Sequence, residues 1–152
     1  MNEAIRYLSF IFLIIFNQIL LATNLWPIFP DVFLVHVLFF TTFVKKIPNT
    51  YLFVLMGFLI DLFFSDISTP YTLTYLLIGL YLNFSSLKWI QRSLLEQIIL
   101  MIAVSLLLNI LLFTVNNFSD DMGKRIIINP LMNSIIWVLV FINQSKKWLK
   151  NI

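Results

Sequence analysis

The 152-residue chain contains no cysteine, which excludes disulfides, thiolate catalysis and cysteine-ligated metal. Histidine occurs once, as His36, and a lone imidazole has no second ligand or base at metal or triad spacing. An interhelical hydrogen bond is the expected role for it. The three glycines are scattered, so there is no glycine-rich phosphate loop. Neither a GxSxG nor an HExxH segment occurs, which removes the usual hydrolase and metalloprotease arrangements. No apolar stretch holds two acidic residues in DxxxD spacing, as a lipid transferase would require. A primary ion path commonly shows several ionisable groups inside the apolar layer, and this chain has one, Asp61. The reading is that the chain is not an enzyme and has no catalytic residue, no metal site and no cofactor.

Charge itself is scarce. Charged residues make up 11% of the chain and apolar residues 61%, against about 25% and about 45–50% in soluble domains. A soluble domain of this size still exposes roughly a third of its surface, so it has nowhere to put so much apolar side chain. The bilayer is the expected solvent. The sequence pI of 9.3 does not imply nucleic acid, because the basic residues are spread over turns rather than gathered into a stripe. Lipid headgroups account for them better.

Their distribution is ordered. Arg6, Lys45, Lys46, Lys88, Arg92, Lys146, Lys147 and Lys150 fall at every second break in the apolar sequence; the other breaks hold Asp31, Asp66, Asp120 and Asp121, with only Lys124 and Arg125 as basic residues. Cytoplasmic loops collect Lys and Arg. Both termini are therefore expected in the cytoplasm, with six crossings; five would break the asymmetry.

The expected architecture is a single all-α integral membrane domain, residues 1–152, a polytopic bundle of six transmembrane helices with short loops. The helices are read at about 7–25, 30–44, 48–64, 71–87, 94–115 and 126–142, with a basic tail at 145–152 lying along the inner surface. The first resembles a secretory signal but lacks the small-residue cleavage pattern, so it is expected to stay. Pro30-Asp31 opens the second helix, where proline loses no hydrogen bond and aspartate favours the positive end of the dipole. Lys45-Lys46 and Pro48 separate the second and third helices; one continuous span would put two lysines in hydrocarbon. Lys88-Trp89 with Arg92 reads as an inner interfacial elbow, Asn116–Arg125 as the one sizeable loop, and Pro130 as a first-turn or kink proline in the last helix.

Asp61 lies about four residues, roughly 6 Å, from the outer end of its helix, and Gly57 is one turn earlier on the same face. That spacing lets another backbone approach at Gly57 while Asp61 accepts its hydrogen bond, a structural anchor rather than a transport carboxylate. Asp31, Asp61 and Asp66 all fall towards the outer side, where only Lys124 and Arg125 answer them. A clasp and simple solvated charges both fit. Asn17, Gln18, Asn109 and Asn133 read as polar joints between helices, worth about 0.6 kcal/mol each, and Glu96, one turn after Arg92, as its partner.

These residues also carry a resemblance. Pro30-Asp31 opening the second helix, Gly57-Phe58-Leu59-Ile60-Asp61-Leu62 near the end of the third, the basic turn between them, and Asn133 with Ile135–Leu139 in the last helix resemble the MreD family of bacterial rod-shape-determining membrane proteins. The chain departs from the family after the Asp-Leu pair, where Ser65-Asp66-Ile67-Ser68-Thr69-Pro70 replaces a glycine-containing turn. The resemblance implies a non-catalytic scaffold of the cell-elongation, peptidoglycan-synthesising complex in the inner membrane. It implies binding to an MreC-like bitopic protein and, through it, to an MreB-like actin and a RodA-type synthase with its penicillin-binding partner. Pro30, Asp31, Gly57, Asp61, Leu62 and Asn133 are then the expected partner-binding residues. The competing reading is the substrate-binding membrane subunit of an energy-coupling-factor vitamin transporter, also a small six-helix bundle. Those subunits dock through small residues four apart on the first helix, where this chain offers only Ser9 and Ala22.

Overall fold

The computed structural model describes residues 3–42, 47–64, 69–85, 89–115 and 120–148. Within them every regular element is helical: α1 Glu3–Ala22, α2 Val32–Thr41, α3 Thr50–Phe64, α4 Pro70–Phe84, a 3-10 turn at Trp89–Gln91, α5 Leu94–Val115 and α6 Asp120–Trp148. Asp66 and most of the basic turn between α2 and α3 lie outside the described residues.

The helices pack as two antiparallel hairpins, α3 with α4 and α5 with α6, joined along α4 and α5. Helix α2 is the centre. Phe33, Leu34, Val37 and Leu38 are almost wholly enclosed, and the Phe33 ring meets Phe10 of α1, Phe64 of α3 and Tyr71 of α4 at centroid distances of 6.1, 5.5 and 6.0 Å. Helix α1 sits at the edge, with Ile11, Phe12, Ile15 and Ile19 facing out.

Local chemistry explains how the chain leaves α1 and enters α2. Asn24 adopts a left-handed conformation at φ 55°, its N–H donates to Leu21 O at 3.2 Å and that of Leu25 to Leu20 O at 3.0 Å. This is the Schellman end of a helix, with asparagine in the place usually taken by glycine. Residues 23–31 then run without helix, Pro27 and Pro30 buried, until Asp31 caps α2 by accepting from Leu34 N at 2.8 Å. Aspartate thus meets the positive end of α2 as a cap, one position before the first turn.

Helix α5 and the Gly123–Gln144 part of α6 are, among the described residues, long and apolar enough to cross a membrane, and only 33% and 28% of their windows are buried. A soluble protein hides its most apolar helices in the core; these expose Leu95, Ile99, Ile110, Ile127, Leu131, Ile135 and Leu139. Apolar surface on that scale suggests contact with a membrane or with another protein. Helices α2, α3 and α4, at 10, 15 and 15 residues, are shorter than the about 17–25 residues of an ordinary span.

Several expected boundaries move. Helix α6 begins at Asp120, so Asp120–Arg125 is helical rather than loop and Pro130 lies well inside the helix. The same helix runs on to Trp148, so residues 145–148 of the tail continue α6 instead of starting a separate surface segment, and the rest of the tail lies outside the described residues. Trp89 packs inward, buried against Trp137 with centroids 5.6 Å apart, instead of facing out of the bundle.

Candidate functional site

On α6, Arg125, Asn129, Asn133 and Trp137 recur every fourth residue and so share one face. All four are buried. They meet Asn109, Ser105 and Gln97 of the antiparallel α5. Arg125 Nε donates to Asn109 Oδ1 at 2.9 Å, Asn109 Nδ2 to Asn129 Oδ1 at 2.9 Å, Asn133 Nδ2 to Ser105 Oγ at 2.7 Å, and Trp137 Nε1 to Gln97 Oε1 at 2.8 Å. The result is a polar seam along the inside of the hairpin.

The half of this seam from Arg125 to Asn133 serves the irregular segment between α1 and α2. Arg125 Nη1 donates to Trp26 O, Asn129 Nδ2 to Phe29 O at 2.8 Å, and Asn133 Oδ1 accepts from Asp31 N at 2.7 Å. Buried backbone without helix must find its hydrogen-bond partners elsewhere in the protein, and three consecutive turns of α6 supply them here. The Trp26 ring also covers the guanidinium, 3.7 Å from Cζ to the centroid, a cation–π contact.

Arg125 and Asp31 form a buried ion pair, Nη2 to Oδ2 at 3.0 Å, with both side chains 1% exposed. Asp31 Oδ2 also accepts from the Tyr71 hydroxyl at 2.8 Å. Each charge is therefore paired and hydrogen-bonded on several sides, the condition for a buried ion pair to persist.

Asp61 does different work. Thr69 precedes α4 but makes no side-chain cap, and Pro70 fills the first position, leaving the next N–H groups without intrahelical partners. Asp61 accepts from Tyr71 N at 3.0 Å and from Thr72 N and Oγ1 at 2.7 and 2.6 Å. A carboxylate on α3 thus caps α4. Gly57 makes the approach possible: a Cβ there would lie 2.6 Å from Tyr71 O and 2.8 Å from Thr72 Cα. The close approach expected at Gly57 and the anchor expected at Asp61 are both present. Tyr71 joins the two carboxylates, its amide on Asp61 and its hydroxyl on Asp31.

Of the six residues expected to bind a partner, Asp31 and Asn133 are bonded to each other, and Gly57 and Asp61 hold α4. These four and Pro30 are buried; Leu62, at 63% exposed, alone presents its side chain at the surface. Of the expected clasp, Arg125 reaches Asp31, Asp61 is bonded to the start of α4, and Asp66 lies outside the described residues. Other expectations are corrected. Gln18 faces outward, so of the two neighbouring polar residues expected to join α1 to another helix only Asn17 is buried. Among the described residues His36 makes no interhelical hydrogen bond; its ring lies 6.5 Å from Phe40, beside an apolar groove of about 350 Å³ lined by Phe10, Phe40, Phe53, Met56 and Leu59. Arg92 does not pair with Glu96. It bonds Tyr81 and Ser85, while Glu96 and Ser93 cap α5 reciprocally at 3.2 and 3.3 Å, a capping box.

Tyr71, Asn129, Ser105 and Gln97 were missed in the sequence. The four-residue spacing of Arg125, Asn129, Asn133 and Trp137 was the available signal. No group of three or more His, Asp or Glu able to hold a metal ion occurs among the described residues. Comparison with family models, with curated proteins and with solved structures returns no match.

Proposed function

We propose that this chain is an MreD-like scaffold of the bacterial cell-elongation complex, a six-span protein of the inner membrane with both termini in the cytoplasm. The observation that supports it most is the meeting of the two motifs behind the resemblance. Pro30-Asp31 and Gly57–Asp61 are far apart in sequence, yet Asp31 and Asp61 are both bonded by Tyr71. Residues used in this way build a rigid body. Their acceptor positions are occupied by donors of the same chain, which leaves them for shape rather than for substrate.

The partner in this reading is an MreC-like bitopic protein, whose single helix packs along α3. Leu55, Leu59 and Leu62 are exposed on one line of that helix, and Leu62 carries the line to the outer end. Pro30, Asp31, Gly57, Asp61 and Asn133 act on the partner through the geometry of this end, and Leu62 touches it. Contacts with MreB-like and RodA-type components are made through the partner.

Affinity purification of the tagged protein from its native membrane in mild detergent, with mass spectrometry of the co-purifying chains, tests this. The expected result is an MreC-like protein whose recovery falls on Leu62→Ser while insertion is unchanged. Recovery instead of an ATP-binding cassette pair with its coupling membrane subunit would make the chain the substrate-binding component of a vitamin transporter.

A further inference from the structure

The apolar bands of the helices are unequal, and polar groups mark their ends. Helix α4 is bounded on both sides by described residues, Thr69 before it and an extended Ser85, ψ 136°, after it. Its fifteen residues rise only about 22 Å, against an apolar layer of about 30 Å. The usable band is shorter still. At the outer end Thr72 is bonded to the Asp61 carboxylate, Oγ1 to Oδ2 at 2.6 Å. At the inner end Asn83 Nδ2 donates to Pro48 O at 2.9 Å. Thr72 and Asn83 are separated by roughly 17 Å of helix.

A cation fixes the inner limit independently. The Arg92 guanidinium bonds the Tyr81 hydroxyl and Ser85 Oγ and lies 4.4 Å from the Tyr81 ring centroid. Tyr81 is one turn inside the end of α4, so charge and headgroup-seeking aromatic sit together within the helix rather than beyond it. A guanidinium is costly in hydrocarbon, and the polar boundary is drawn in to meet it. The outward side chains between these limits are Leu73, Leu77 and Tyr81, with Phe84 at the end.

Helix α5 is different. Its exposed apolar side chains run from Leu95 through Ile99, Leu106 and Ile110 to Val115, roughly 30 Å along the axis and matched to an ordinary bilayer. Tilt shortens the projection of a helix and does nothing for α4. A short hydrophobic stretch is accommodated by thinning of the bilayer, at a fraction of a kcal/mol per Å of mismatch.

We propose that the α4 flank thins the bilayer beside it and is covered by lipid of shorter acyl chains than the α5 flank carries. The inference rests on the membrane reading above. The outer face of α4 then marks a defect in membrane thickness fixed to one side of the protein, built by the Asp61 cap at one end and by Arg92 at the other.

The absence of cysteine makes the test direct. Leu77→Cys on α4 and Leu106→Cys on α5, both near mid-helix and exposed, are labelled with a bimane fluorophore. The full chain is reconstituted in phosphatidylcholine vesicles containing equal amounts of short-chain and long-chain lipid, one or the other brominated as quencher. At position 77 the short-chain quencher is expected to be more effective by about twofold or more, and at position 106 the two are expected to be equal. Leu73→Cys gives a second position on the α4 flank. Equal quenching at 77 and 106 would overturn the inference and leave the membrane reading standing. No quenching at any position would remove both.

Discussion

Arg125→Leu is expected to lower stability by about 3–5 kcal/mol, the cost of leaving one member of a buried pair without the other. Three interactions go at once: the 3.0 Å ion pair with Asp31, the bond to Asn109 Oδ1 and the bond to Trp26 O under the indole ring. Among the described residues, the Asp31 carboxylate is then held by Leu34 N and the Tyr71 hydroxyl alone, and the segment between α1 and α2 loses its tie to α6 at Trp26 O. Asp31→Leu is expected to cost a similar amount, because the guanidinium is stranded instead. The double variant Asp31→Asn, Arg125→Met should cost clearly less than the sum. Asparagine still caps α2, and no charge is left buried. Titration to unfolding in detergent micelles, with the matching single variants Asp31→Asn and Arg125→Met beside the double one and the parent, gives the four corners of the cycle. A loss below about 1 kcal/mol for Arg125→Leu would mean that the pair behaves as a solvated surface bridge and that the seam does not hold the bundle.

The second large effect belongs to Gly57. The Cβ of an alanine there would lie 2.6 Å from Tyr71 O, 2.8 Å from Tyr71 C and 2.8 Å from Thr72 Cα, all backbone atoms that no rotamer change can move. Helix α4 must retreat from α3, which pulls Tyr71 and Thr72 off the Asp61 carboxylate. Gly57→Ala is expected to cost about 1–3 kcal/mol by overpacking, and Gly57→Leu more. The other two glycines calibrate this. At Gly79 a Cβ meets the Phe53 side chain at 3.0–3.2 Å, and a ring can shift, so Gly79→Ala should cost less than Gly57→Ala. At Gly123 nothing lies within 4 Å, and alanine is favoured over glycine in a helix by about 0.8–1 kcal/mol; Gly123→Ala should be neutral or stabilising. Thermal unfolding of the three variants in one detergent reads the order, and a Gly57→Ala protein as stable as the Gly123→Ala protein would break it.

Features set by short-range spacing were legible in the sequence. Pro30-Asp31 at a helix entry and Gly57 one turn before Asp61 are local patterns, and their structural consequences, a cap and a close backbone approach, follow from helix geometry. Helix ends were less legible where polar residues continue a helix. Asp120, Asp121, Lys124 and Arg125 read as loop because an apolar run stops at charge, yet a helix needs only that its polar side chains find partners or water. Starting α6 at Ile126 put Arg125 in a loop and hid the repeat that runs Arg125, Asn129, Asn133, Trp137. Tyr71 was not distinguishable from the other aromatic residues, since its role depends on two carboxylates brought to it by folding. Trp89 misled for a similar reason: tryptophan beside lysine is a common interfacial pattern, and only its packing on Trp137 places it inside.

The membrane scaffold and the thinned flank both require α3 and α4 to cross the membrane. The natural chain lacks cysteine, so single cysteines at Asn49, just before α3, and at Thr69, just before α4, can be mapped in intact cells with a membrane-impermeant maleimide. Both positions are exposed. The expected result is labelling of Thr69→Cys in intact cells and of Asn49→Cys only after the membrane is opened. Labelling of both from the same side would contradict the six-span threading and, with it, the proposal that this hairpin presents a face to a membrane partner.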